Sequence, residues 1–151
     1  MTNTATRANI KSILLTGQKA EDITFKDKEH EKFYYLYLSK CRIQDVYHQA
    51  LIYCLGISAD TRNNIKQIFN IKTDCINTDC LREGWITSGS AKVVRLAFNL
   101  YCNSAPSVFE HDDVEEQLDE YGYYTVEDLF CCGYAPFFWE AVRLRYPEYC
   151  N

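Results

Sequence analysis

The sequence predicts an all-α fold, a compact single domain of about six to eight short helices. Three observations carry that expectation. Apolar residues recur at three-and-four spacing through most of the chain, the period of a helix face. Strand-like alternation is scarce, and there is neither an internal repeat nor a glycine-rich phosphate loop. Finally, Gly56, Ser58, Thr125 and Pro136 stand where helix ends need them. At 151 residues the chain is one domain by length and long enough to bury a core.

Residues 1–22 are an appendage. MTNTATRAN is polar, ANIKSILL has the length for two turns of helix, and TGQKAED breaks it. The helical domain spans 23–151. KDKEHEKFYYLYLSKC places Phe33, Leu36 and Tyr37 at helical spacing, and its Lys/Glu flanks select helix over strand despite the aromatic run FYYLYL. In IQDVYHQALIYCLGI, Val46, Ala50, Tyr53 and Cys54 share a face, with Gly56 as a natural C-cap. Ser58 caps a helix ADTRNNIKQIF that ends near Asn70. KTDCINTDCLREGW is irregular, with one helical turn after Thr78. TSGS is a breaker, and AKVVRLAFNLYC follows with a stripe of Val93, Ala97, Leu100 and Tyr101. Asn103–Phe109 is a loop, and DVEEQLDEY makes two helical turns with Val114, Leu118 and Tyr121 as a thin apolar edge. Thr125 with Asp128 resembles a capping box and opens a helix that stops at Gly133. Pro136 starts the last helix, PFFWEAVRLRY, which Pro147 ends. The expected core includes Phe33, Tyr37, Val46, Leu51, Val93, Leu100, Leu129, Phe137, Trp139 and Val142.

Charge is unevenly distributed. The net charge is −5, yet residues 96–142 hold ten acids and no Lys or Arg, while residues 1–95 hold fourteen bases against ten acids. Such asymmetry bears on partners and not on fold. The eight cysteines are even in number, but no signal-like apolar segment precedes them, so they are expected as free, mostly buried thiols in a reducing cytoplasm. Cys54 and Cys102, each in an apolar helical run, fit best. No stretch of about 18 apolar residues marks a membrane span.

Three stretches, FKDKEHEKFYYLYLSKCRIQDVYHQALIYCLGIS, TSGSAKVVRLAFNLYC and YYTVEDLFCCGYAPFFWEAVRLRYPEYC, resemble a domain-of-unknown-function family. Its members are small proteins of Gram-positive, mostly gut-associated bacteria and their mobile elements. The resemblance covers roughly residues 25–150 and leaves out 1–22. It implies a small intracellular protein, phage-associated in one version, for which an anti-defence role is thinkable. It transfers no catalytic residue.

Several chemistries find little support in the residues. Cys75 and Cys80 have the spacing of half a zinc site, but no second clear pair exists, so no metal or other cofactor is expected. His30, His48 and His111 are the only histidines, and none belongs to a local nucleophile signature; surface or boundary positions are expected. Asp112, Asp113 and Glu116 would share a helical face suited to hydrolysis or Mg²⁺, yet catalytic carboxylates usually come from separate, partly buried elements. Lys26, Lys28, Lys32, Lys40 and Arg42, and Lys92 with Arg95, are interleaved with acids, so direct nucleic-acid binding is not expected.

The stretch EHDDVEEQLDEYGYYTVED, residues 110–128, contains nine acids and no base. It is either a solvated face or a partner surface. Unrelieved charge and the tyrosines beside it favour the second, since Tyr is enriched at interaction hot spots. The candidate partner-binding residues are Asp112, Asp113, Glu115, Glu116, Asp119, Glu120, Tyr121, Tyr123 and Tyr124. The expectation is a non-enzymatic interaction protein meeting a protein with a basic surface, such as a nucleic-acid-handling defence enzyme. A small hydrolase or metal-dependent enzyme is the alternative, and a structural or regulatory helix bundle that self-associates through Tyr and Trp is a third reading.

Overall fold

The computed structural model describes residues 22–109 and 113–150. The proposed appendage therefore lies outside the described residues except for Asp22. Eight α-helices and one two-stranded hairpin occur among them: α1 Lys28–Lys40, α2 Val46–Leu55, α3 Ala59–Asn63, α4 Ile65–Ile68, β1 Phe69–Asn70, β2 Cys75–Ile76, α5 Ser88–Cys102, α6 Val114–Tyr121, α7 Val126–Phe130 and α8 Ala135–Arg145. Single 3-10 turns fill Thr78–Arg82, Gly122–Tyr124 and Pro147–Tyr149. The domain is compact and essentially all-α.

Caps written in the sequence fix most of the helix starts. Asp27 accepts from the His30 amide at 2.8 Å and opens α1, with Glu29 and Glu31 in the first turn where the helix dipole favours them. Asp45 does the same for α2 through the His48 amide at 2.9 Å. TSGS is no breaker: Thr87 and Ser90 form a reciprocal capping box, so α5 begins at Ser88. Asn103 ends α5 in the left-handed region at φ 56°, a conformation Asn tolerates.

α2 is apolar on nearly every side, and a helix of that composition belongs inside. Ala50 through Leu55 are fully buried, and α2 packs chiefly against α5 and α8, with α1 alongside. Each fully buried Leu or Ile there contributes roughly 1.5–3 kcal/mol. Arg145 locks α8 to the end of α5. Its Nε donates to the Leu100 carbonyl at 2.9 Å, and its guanidinium lies 3.7 Å from the Tyr47 ring centroid.

Several expectations change. ADTRNNIKQIF is not one helix, because Asn64 breaks it, and Phe69 and Asn70 turn into the hairpin, pairing with Ile76 and Cys75. Gly56 is the C-cap of α2 as expected, but in the right-handed region at φ −80°. Its small size matters for another reason: a Cβ would stand 2.6 Å from His30 Cδ2 and 2.9 Å from Phe33 Cδ1. Of the expected core, Phe33, Leu51, Val93, Leu100 and Leu129 are buried, while Tyr37, Val46, Phe137 and Val142 are half-buried. Trp139 is 56% exposed, because the inner face of α8 is taken by Phe138, Ala141 and Leu144. Cys102, at the last turn of α5, is exposed.

Candidate functional site

α6 follows a stretch, 110–112, that lies outside the described residues, so Asp112 and His111 are not placed. Asp113 caps α6 by accepting from the amides of Glu115 and Glu116 at 3.0 and 3.2 Å. One buried residue on the inner side of the helix ties it to the body. Glu120 is only 3% exposed, and its Oε2 accepts from the Val108 amide at 3.1 Å and from the Ser107 hydroxyl. The Tyr124 hydroxyl donates to the Pro106 carbonyl at 2.6 Å, and burial drives the phenol pKa well above its ordinary value. Glu120 is therefore an anchor of the 104–109 loop and not a surface contact, a correction to its place in the candidate set, while Tyr124 is half-buried against the same loop. A charged residue is almost never buried unless partnered, and the sequence shows no sign of the partners.

The rest of the set faces outward. Glu115, Glu116, Asp119, Tyr121 and Tyr123 are exposed, as is Asp113. The apolar edge of α6 faces outward too: Val114 is 70% exposed, Leu118 61% and Tyr121 40%. Their spacing, four and then three residues, makes one continuous ridge. A short amphipathic helix normally turns such a ridge into the core. Here the polar Glu120 side is turned inward, and Val126 at the start of α7 is exposed as well.

Nor is the acidity unrelieved in space. Arg82 and Arg95, from the 3-10 turn and α5, share the walls of a cavity of about 340 Å³ with Glu116, Asp119, Glu120 and Tyr123. The Arg95 guanidinium lies 4.6 Å from the Tyr123 ring centroid. Part of the local charge is thus balanced by residues distant in sequence, which a count along the chain does not register.

The other polar groups are engaged inside the fold. His30 is fully buried: Nδ1 accepts from the Lys26 amide at 3.1 Å and Nε2 donates to the Tyr53 carbonyl at 2.8 Å. Burial lowers its pKa to about 4, so the ring is neutral near pH 7. His48 is also buried, between Asp45 at 2.7 Å and Asp74 at 3.2 Å, with both ring nitrogens occupied. Neither histidine occupies the surface or boundary position expected, and neither is free to act as a base. All eight cysteines are free. Burial pushes the Cys41 and Cys80 thiols up to about 12, which keeps them protonated and poorly nucleophilic. Cys75, by contrast, is exposed. Among the described residues no three His, Cys, Asp or Glu side chains gather in a way that would hold a metal ion. No described helix is long and apolar enough to cross a membrane.

Comparison with known proteins matches the chain to a family. The family described as "Family of unknown function (DUF6075)" covers residues 20–151, close to the span over which the sequence resembles such a family. No curated protein and no solved structure matches the chain.

Proposed function

Because the chain belongs to the DUF6075 family of unknown function, we propose a role from its geometry: it is a non-enzymatic interaction protein that docks through α6. The observation that supports this most is the outward ridge of Val114, Leu118 and Tyr121, flanked by Glu115, Glu116 and Asp119. An apolar ridge left in water costs free energy that covering it would recover, roughly 25 cal/mol for each Å² removed. The acids beside it match a partner with a basic surface and favour encounter over long range. Exposed aromatics such as Tyr121 and Tyr123 are the side chains most often found at the centre of interfaces.

A narrower version assigns the partner to the nucleic-acid-handling enzymes of bacterial defence, with this protein as a phage- or mobile-element-encoded inhibitor acting in the cytoplasm. Its support is electrostatic: channels that hold nucleic acid are basic, and an acidic helix with an apolar ridge fits such a channel.

Affinity capture from a native host, followed by binding kinetics on the captured protein, tests the proposal. The Glu115→Gln/Glu116→Gln/Asp119→Asn variant should associate more slowly and with a flatter salt dependence, since steering is screened over about 8–10 Å. Tyr121→Ala should mainly speed dissociation. Association as fast as wild type at low salt would mean that the acids of α6 only solvate the protein.

A further inference from the structure

A second surface has the opposite character. The end of α1, α4, β1 and the following turn enclose an open groove of about 600 Å³, lined by Tyr37, Lys40, Ile65, Lys66, Phe69, Asn70, Ile71 and Lys72. Its floor is aliphatic and aromatic, three ammonium groups stand around it, and no carboxylate is among its lining residues. Two details shape what it will accept. The Tyr37 ring is already covered, by Phe33 at 4.5 Å on centroids and by the Lys40 ammonium at 4.8 Å. Phe69 is 2% exposed. The groove therefore offers little open ring face for a flat base to stack on, and suits aliphatic knobs with acids beside them. An acidic amphipathic helix has that chemistry, and helix-in-groove docking is a recurrent recognition mode.

Resting on the reading of α6 as a docking element, we propose that its partner includes a second copy of this chain: the ridge of α6 enters the Tyr37–Lys72 groove of another molecule. Val114, Leu118 and Tyr121 lie over Ile71 and the aliphatic stems of Lys40, Lys66 and Lys72, above the buried Ile65 and Phe69, while Glu115, Glu116 and Asp119 meet the ammonium groups of those lysines. The two surfaces share no residue and differ in kind, so the contact is heterologous, head to tail. Such contacts propagate into rings or open chains instead of closing as a two-fold dimer. One rim of each surface is charged and small, so the association is salt-sensitive and concentration-dependent.

The test uses the full chain and two variants, Leu118→Lys on the ridge and Lys66→Glu/Lys72→Glu on the groove, all at exposed positions. Mass is measured by sedimentation or light scattering across concentration and salt, with melting curves to confirm folding. Wild type should shift from monomer to larger species as concentration rises at low salt, and return to monomer at high salt. Each variant alone should stay monomeric. Mixed in equal amounts, the two should associate again, because the Leu118→Lys chain keeps a native groove and the Lys66→Glu/Lys72→Glu chain keeps a native ridge. A wild type that stays monomeric throughout overturns the inference and leaves a foreign basic partner for α6 untouched. Self-association lost in the ridge variant but unchanged in the groove variant also overturns it. Slow association of the acid-neutralised protein with a captured partner tests the underlying reading separately.

Discussion

Glu120 separates a charge that folds the protein from charges that face water. Buried and accepting from Ser107 and Val108, it holds α6 to the 104–109 loop. Glu120→Gln is expected to lower stability by about 1.5–3 kcal/mol, the range for hydrogen bonds to a charged acceptor. Glu115→Gln with Glu116→Gln should change the melting temperature little, since their side chains are in water and only weakly favoured by the helix N-terminus. Chemical denaturation of the two proteins checks the contrast. Gly56 gives a second residue-scale expectation. Gly56→Ala puts a methyl against two buried rings and should cost about 1–3 kcal/mol, although Ala is the better helix former. His30 gives a third. Its folded pKa is near 4 against 6.5 for the ordinary group, so the unfolded chain takes up the proton first as pH falls. The stability it contributes is complete above pH 6.5 and is lost between 6.5 and about 4, by about 3 kcal/mol in all. His30→Gln, which keeps a donor toward the Tyr53 carbonyl, should flatten that part of a stability–pH profile.

At the scale of elements, α6 carries the account. Its start is readable, since Asp113 is a standard cap. Its orientation is not. Val114, Leu118 and Tyr121 form the pattern that ordinarily marks a buried face, and only a tertiary fact, the pocket of donors around Glu120, turns it outward. The same limit explains Trp139: α8 is apolar on more sides than it can bury, and periodicity does not say which side wins. Local chemistry is the better guide for the starts of α3, α7 and α8, where Ser58, Thr125 and Pro136 stand at the helix ends. The hairpin at Phe69–Ile76 is not legible in the sequence because two-residue strands leave no alternation. Since Asp113 and Glu120 have structural duties, neutralising them together with Glu116 should destabilise the fold, whereas the Glu115, Glu116 and Asp119 combination should not. Comparing the two sets by thermal melting separates anchoring from display.

At the scale of the whole molecule, the architecture is a buried α2 enclosed by α1, α5 and α8, with α6 and the Tyr37–Lys72 groove as surfaces of opposite charge on its outside. The all-α class followed from apolar periodicity because burying α2, α5 and the inner side of α8 is what stabilises the chain. The candidate site was legible as composition, nine acids and three central tyrosines in one stretch, but not as geometry. Arg82 and Arg95 reach it from elsewhere in sequence, Glu120 leaves the surface for the interior, and Tyr124 is half-buried. The claim that α6 is displayed for binding and is not part of the packing is tested most directly at Leu118. The measurement is paired: the melting temperature of Leu118→Lys, and its affinity for the captured partner. A melting temperature close to wild type with binding lost is expected. A melting temperature lowered to the extent that a loss of about 2–5 kcal/mol of stability would produce, as for a core Leu→Ala change, or binding equal to wild type, would overturn that claim.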